Sequence, residues 1–122
     1  MNTINRVYIM KILKFQEDGS RLTLYKIGKS SGKSSVDRML QLMRSHFMQY
    51  RYSPFITIKR DRACENAFEI ESTLHRQFKE NRFFYDKPVE GKNEHFYIDR
   101  EDVLLKAYDE LIPAKKKATK WV

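Results

Sequence analysis

One cysteine, three prolines and four glycines stand in a chain of 122 residues, and each scarcity removes a class of protein. A single thiol, Cys64, cannot close an internal disulfide, so a disulfide-stapled secreted scaffold is excluded and a reducing, cytoplasmic setting is expected. Cys64, His75 and His95 lack the spacing of zinc ligands. No apolar run approaches the ~20 residues of a membrane span, and residues 1 to 15 lack a signal-peptide layout, so no membrane partner is expected. Acidic residues are also in deficit: 16 Asp and Glu face 24 Lys and Arg, a formal charge of +8. That imbalance points to a polyanion, with nucleic acid ahead of an acidic membrane surface. Core material is present. Hydrophobic residues at 41% and aromatics at 13% suffice for one modest core at this length.

The patterns run in the order hairpin, helix, strand, helix, short strand, helix. Residues 6–15 alternate apolar and polar around Val7 and Ile9 and stop at the turn signal "EDGS". Residues 21–28 return as the second strand of a hairpin, closed by Gly28. Ser35 is placed to cap a helix over 36–47, with Val36, Met39, Leu40, Met43 and Phe47 at helical spacing. A third strand is expected over 53–60, with Pro54 at its opening. Asp61 is placed to cap a helix over 62–80 whose inner face carries Cys64, Ala67, Phe68, Leu74 and Phe78. Residues 94–98 read as a short fourth strand or strand-like segment. Asp99 reads as the cap of a last helix, ended by Pro113. The expected fold is α/β of the α+β type: a small, mainly antiparallel three-stranded sheet flanked by helices. Residues 1–112 form its domain and 113–122 a basic tail.

Two stretches carry chemistry. "YKIGKSSGKSS", residues 25–35, sets glycines and lysines after a strand, as phosphate-gripping loops do. A nucleotide P-loop needs four residues between its first glycine and the next Gly-Lys-Ser, but Gly28 and Gly32 are separated by three. The element order also lacks the strand–helix alternation of doubly wound nucleotide folds, so that reading is set aside. The second stretch, "EIESTLHRQF" (69–78), puts Glu71 and His75 on one helical face.

Taken in order, the Tyr8 strand, "YKIGKS", the helical Arg38 and the "E..LH..F" pattern resemble the GIY-YIG nuclease superfamily. The branch they resemble most is that of the T5 phage open-reading-frame-172 and meiotically up-regulated gene 113 domains. The resemblance covers about residues 6 to 98. Arg6 stands at the first glycine of the superfamily pattern, Lys26 replaces its second tyrosine, and Leu42 stands where many members have histidine. Because side chains alternate along a strand, Lys26 is expected on the site face with Tyr8, and Tyr25 on the other.

The resemblance implies metal-assisted hydrolysis of DNA phosphodiesters by Tyr8, Lys26, Arg38 and Glu71. Glu71 would hold Mg²⁺ or Mn²⁺, hard cations suited to phosphate oxygens. Arg38 would offer its planar fork to the non-bridging oxygens as charge builds. Tyr8 or Lys26 takes the proton of the attacking water; the preferred arrangement has Tyr8 on the water and Lys26 as its proton acceptor. Tyr25 and His75 are second-rank supports of these groups. Lys29, Lys33 and Arg82 are expected on the substrate backbone, with DNA preferred to RNA. The tail lysines Lys115, Lys116 and Lys117 would add phosphate contacts. The aromatics interleaved with basic residues in 44–55 either stack on nucleic acid or fold onto the core. A chain this short has no separate specificity domain, and a homodimer is one way to supply it. Two other readings of the same residues stand beside this one: a non-cleaving DNA- or RNA-binding module, and a basic protein-interaction domain.

Overall fold

A computed structural model of the protein describes residues 5–32 and 34–114. Its framework is the hairpin of β1 (Asn5–Phe15) and β2 (Arg21–Ser31), paired antiparallel along their whole length. The turn between them is fixed by Asp18, whose carboxylate accepts the Ser20 backbone N–H at 2.9 Å. Gly19 there takes φ +85°, a left-handed conformation that a Cβ would oppose. β3 (Phe55–Ala63) lies on the free edge of β1, and β4 (His95–Phe96) pairs with β2. The sheet therefore has four antiparallel strands in the order β3-β1-β2-β4, not three. The added strand is two residues long and lies within the 94–98 segment read as a short fourth strand or strand-like segment; its pairing with β2 makes it part of the sheet.

Three helices complete the fold: α1 (Val36–Tyr50), α2 (Ala67–Gln77) and α3 (Glu101–Leu111). Among the described residues none is long and apolar enough to cross a membrane. Side chains alternate across the sheet, so β1 and β2 feed two separate clusters. Val7, Ile9, Tyr25 and Ile27 pack with Ile70 and Leu74 of α2 and with Leu104 and Tyr108 of α3. Tyr8, Met10, Ile12 and Leu24 pack on the opposite face with Leu42 of α1 and with Val89. Tyr108 Oη donates to the Val7 carbonyl at 2.7 Å, which locks α3 to β1.

Several local expectations are corrected. β2 continues three residues past Gly28, so Lys29, Ser30 and Ser31 are strand rather than loop. β3 likewise runs through Asp61 to Ala63, and α2 begins at Ala67 rather than 62. Asp61 is not the cap of α2. Its Oδ1 accepts Arg6 Nε at 2.6 Å, and its Oδ2 accepts both the backbone N–H and the hydroxyl of Ser35 at 2.8 Å. This network ties the start of α1 to the β1–β3 pair and gives Arg6, in its unexpected position, a structural task. The N-cap of α3 is Arg100 rather than Asp99.

The inner face of α1 also differs from its apolar stripe. Leu42 and His46 are the residues buried, while Val36, Leu40 and Phe47 are exposed. The sheet face beneath α1 carries Lys14, Lys26 and Tyr8 beside Met10, Ile12 and Leu24, and the helix turns Leu42 and His46 toward this mixed surface. Phe68, expected on the inner face of α2, is 69% exposed, and Ile70 takes its place in the core.

Candidate functional site

The alternation of β1 and β2 sends Tyr8 and Lys26 to the α1 side of the sheet. Tyr8 lies opposite Gly28 on the neighbouring strand, and Lys26 Nζ stands 5.5 Å from the centre of the Tyr8 ring. Tyr25 points the other way, into the α2–α3 cluster, where its hydroxyl donates to Glu101 Oε1 at 3.0 Å. It is therefore not a support of the site. Both Tyr8 and Lys26 are buried.

Gly28 explains the glycine of "YKIG". A Cβ there would stand 2.4 Å from Tyr8 Oη, 2.6 Å from its Cζ and 2.9 Å from Glu94 Oε2. The position is occupied by the phenol and a carboxylate instead of by a side chain of its own. Gly91 does the same for Lys26: a Cβ at 91 would meet Lys26 Cε at 2.7 Å and Nζ at 3.0 Å. Gly91 also adopts φ +67°, and its carbonyl accepts both the Glu94 N–H and His95 Nδ1–H at 2.8 Å. That tight turn delivers Glu94 to the site at the doorstep of β4.

Glu71 reaches the same place past the edge of the sheet. On β2, β4 pairs with Tyr25 and Lys26, and His75 Nε2–H donates to the carbonyl of the next residue, Ile27, at 2.7 Å. The His75 ring rests edge-on against Phe96, with centroids 5.1 Å apart. α2 thus takes over the strand edge where β4 stops, and the charge of Glu71, one turn before His75, acts on Tyr8 and Lys26. His75 supports Glu71 by fixing this helix to β2.

Electrostatics bind these groups into one site. Burial, and then the Glu94 charge, push the Tyr8 phenol well above its ordinary range. Burial holds the Lys26 ammonium below its ordinary value, against the opposing pull of Glu94 and Glu90. Burial and Glu94 also raise the Glu71 carboxyl, while His75 and Lys29 oppose the rise. Glu94 is thus the leading charge acting on Tyr8, Lys26 and Glu71 alike. Arg38 acts on Tyr8 and Lys26 from α1, and its Nη1 lies 3.8 Å from Glu90 Oε1. An open cleft of about 490 Å³ borders the group, lined by Pro88, Val89, Glu90, Gly91, Asn93 and Glu94.

The structure therefore gathers Tyr8, Lys26, Arg38 and Glu71, with exposed Lys29 at the margin beside the Phe68 ring, 6.0 Å away. The Arg82 guanidinium lies over the Phe96 ring at 5.6 Å, the ring against which His75 also rests. Lys33, Lys115, Lys116 and Lys117 lie outside the described residues. Of the aromatics in 44–55, Tyr50 folds inward beside Lys14 and Tyr52 bonds the Phe15 backbone, whereas Phe47 and Phe55 are exposed. Leu42 is buried among Tyr8 and its neighbours, so no proton-handling group occupies that turn of α1.

Sequence reasoning missed Glu94 and Glu90. The only trace of Glu94 is a glycine three residues before an acid at the start of an apolar run, in "GKNEHF". Its meaning depends on β4 pairing beside Lys26, which no local pattern conveys. Among the described residues no three His, Cys, Asp or Glu side chains gather as a metal cluster.

A family model, that of the T5orf172 domain, matches residues 5–111. No curated protein and no solved structure matches the chain.

Proposed function

The chain belongs to the T5orf172 domain family, and on that premise we propose that it is a divalent-metal-dependent endonuclease that hydrolyses DNA phosphodiester bonds on a GIY-YIG-like scaffold. The observation that carries this reading is that Tyr8 and Lys26 share one face of the sheet, with Nζ 5.5 Å from the centre of the phenol ring, and that Arg38 and Glu71 act on both through their charges. Four residue types suited to phosphodiester hydrolysis come from four elements, next to an open cleft that Glu90 and Glu94 line. The excess of basic charge, +8, favours a nucleic acid as the substrate there.

The donor set fits a hard cation. Glu71 is a half-buried carboxylate whose charge is disfavoured by burial and by Glu94, and a dication relieves both. Mg²⁺ or Mn²⁺ bound there supplies Lewis-acid polarisation of the phosphate and compensation for the leaving oxygen. Sites of this kind commonly use only one or two carboxylates and complete the shell with water and phosphate.

The remaining work falls to the chain's own side chains. Arg38 offers several N–H donors to the non-bridging oxygens, where negative charge accumulates. Tyr8 Oη is held in place by its burial and by the absence of a Cβ at 28, and it orients the attacking water. Lys26, its basicity reduced by burial, is the proton acceptor that relays through the Tyr8 hydroxyl. Lys29 grips the backbone beside the scissile phosphate.

The test is a plasmid incubated with Mg²⁺ or Mn²⁺ and resolved on a gel, wild type beside Glu71→Gln. Cleavage by the wild type should fall by on the order of 10³-fold in the variant, the scale of losing a charge-stabilising group, with DNA affinity largely kept. DNA bound but never cut by the wild type would leave the binding-module reading in its place. Cleavage by Glu71→Gln near the wild-type rate would remove Glu71 from the chemistry.

A further inference from the structure

We propose that Glu94 is a second cation ligand, so that Glu71 and Glu94 together hold the divalent ion. This rests on the nuclease reading above and adds to it a residue from a different element, the turn before β4.

Three observations carry it. The Glu94 carboxylate is built into place rather than free on the surface. Its backbone N–H bonds the Gly91 carbonyl at 2.8 Å, the following His95 bonds the same carbonyl, and the chain then enters β4. Its two oxygens address two different catalytic groups. Oε2 is 2.9 Å from the point where a Gly28 Cβ would be, beside Tyr8 Oη at 2.4 Å from that point; Oε1 is 3.6 Å from the corresponding point at Gly91, where Lys26 Nζ stands at 3.0 Å. Two glycines thus keep one carboxylate, one phenol and one ammonium around a shared space.

The third observation is what Lys26 does there. It is 2% exposed and runs its Nζ into this space, yet no carboxylate of a described residue closes on it as a salt bridge. A buried ammonium next to a carboxylate ordinarily closes on it, because an unpaired buried charge is costly. Here the two groups stop short of one another and face the same gap. A divalent cation bound by Glu94 and Glu71 resolves this: it replaces the ammonium as the carboxylates' partner and leaves Lys26 as the neutral amine that the proton relay needs. Glu94 also lines the open cleft, so the cation has access. A pair of carboxylates, with water and phosphate oxygens filling the other positions, is the usual protein share of a Mg²⁺ site on a phosphate substrate.

The experiment titrates Mn²⁺ into the DNA-free protein and into its complex with a short uncleavable duplex, followed by electron paramagnetic resonance. Wild type, Glu94→Gln, Glu71→Gln and Glu94→Asp are compared, each checked for native circular dichroism. Glu94→Gln should weaken Mn²⁺ at least about tenfold, as Glu71→Gln does, and Glu94→Asp, which keeps a carboxylate, should recover part of the loss. Mn²⁺ bound by Glu94→Gln as tightly as by wild type, with Glu71→Gln still defective, would overturn the second ligand and leave the nuclease reading standing. That result with a slow Glu94→Gln enzyme would make Glu94 a positioning residue for Lys26, which also overturns the proposal. Wild type that binds no Mn²⁺ in either form would sink both.

Discussion

The two faces of the sheet are built from the same two strands and obey opposite rules. On the α2–α3 face the buried side chains are apolar, and the two tyrosines among them have partners: Tyr25 bonds Glu101 and Tyr108 bonds the Val7 carbonyl. The α1 face buries Lys14, Lys26, His46 and His95. Three polar atoms there, His46 Nε2, Tyr85 Oη and His95 Nε2, have no partner among the described residues. Each such orphan costs about 1–3 kcal/mol. A fold keeps costs of this kind where it needs polar groups dry and fixed, and the gathered site lies on the same face. The comparison assigns stability mainly to one face and chemistry to the other.

The largest expected effect comes from closing the gap at Gly28. In Gly28→Ala the new Cβ would overlap Tyr8 Oη and crowd Glu94, and Tyr8 is too enclosed to yield. Misplacing one reacting group by about 1 Å can cost 10²-fold, and two are displaced here, so cleavage should drop by on the order of 10³-fold. Leu74→Ala removes a fully buried side chain from the opposite face. It should lose about 2–5 kcal/mol of stability while the folded fraction cuts DNA near the wild-type rate. Plasmid cleavage and urea unfolding, run on both variants at a temperature where each is folded, check the pair. A folded Leu74→Ala as slow as Gly28→Ala would break the division between the faces.

Within the α1 face, Tyr8 and Lys26 should behave as one unit. Tyr8→Phe and Lys26→Met are each expected to slow turnover by on the order of 10²-fold, the usual contribution of a positioned proton-transfer group. If they relay the same proton, the double variant should be little worse than the worse single. Single-turnover rates at saturating Mg²⁺ measure this. Fully multiplicative losses would separate the two residues into independent roles.

How much of this was legible depends on which face an element serves. The hairpin was readable from its alternation, and the opposite orientations of Tyr25 and Lys26 followed from the period of a strand. α1 was readable as a helix but not in its facing. Of its apolar stripe Val36, Leu40 and Phe47 are exposed, Met39 and Met43 are half-buried, and Leu42 and His46 take the inward face over a surface of mixed character. The start of α2 was misplaced because Asp61, a good capping residue by type, is used in a strand by Arg6 and Ser35. Those partners lie far away in sequence, and no local rule weighs them. Tyr8, Lys26, Arg38 and Glu71 were picked out by an ordered pattern; the structure puts Tyr8 and Lys26 on one face, with the Arg38 and Glu71 charges acting on both. Glu94 was invisible since its position depends on a two-residue strand and on two glycines that matter only in three dimensions.

The smallest expected effect tests whether the α1 face is as dry as its orphan atoms imply. His46 is fully buried, donates Nδ1–H to the Leu42 carbonyl at 3.2 Å and lies edge-on to Tyr85. Burial, aided by the Lys14 charge, lowers its pKa from 6.5 to about 4. The folded protein therefore keeps this ring neutral in a range where the unfolded chain protonates it. Between pH 6.5 and about 4 the unfolded state binds the extra proton, so stability is full above that window and falls as the pH is lowered through it. From pH 7 to 5 the loss from this residue should be on the order of 1–2 kcal/mol. His46→Asn keeps a donor for the Leu42 carbonyl and removes the titration. Carboxylates elsewhere titrate alike in both proteins, so the difference between their unfolding free energies isolates the histidine. Wild type should lose ground against His46→Asn as the pH falls from 7 to 5 in urea titrations. A difference that stays constant over that range would mean His46 is protonated as readily in the folded protein as in the unfolded one. Water would then reach the α1 face, and the contrast between the two faces would be one of composition without a difference in dryness.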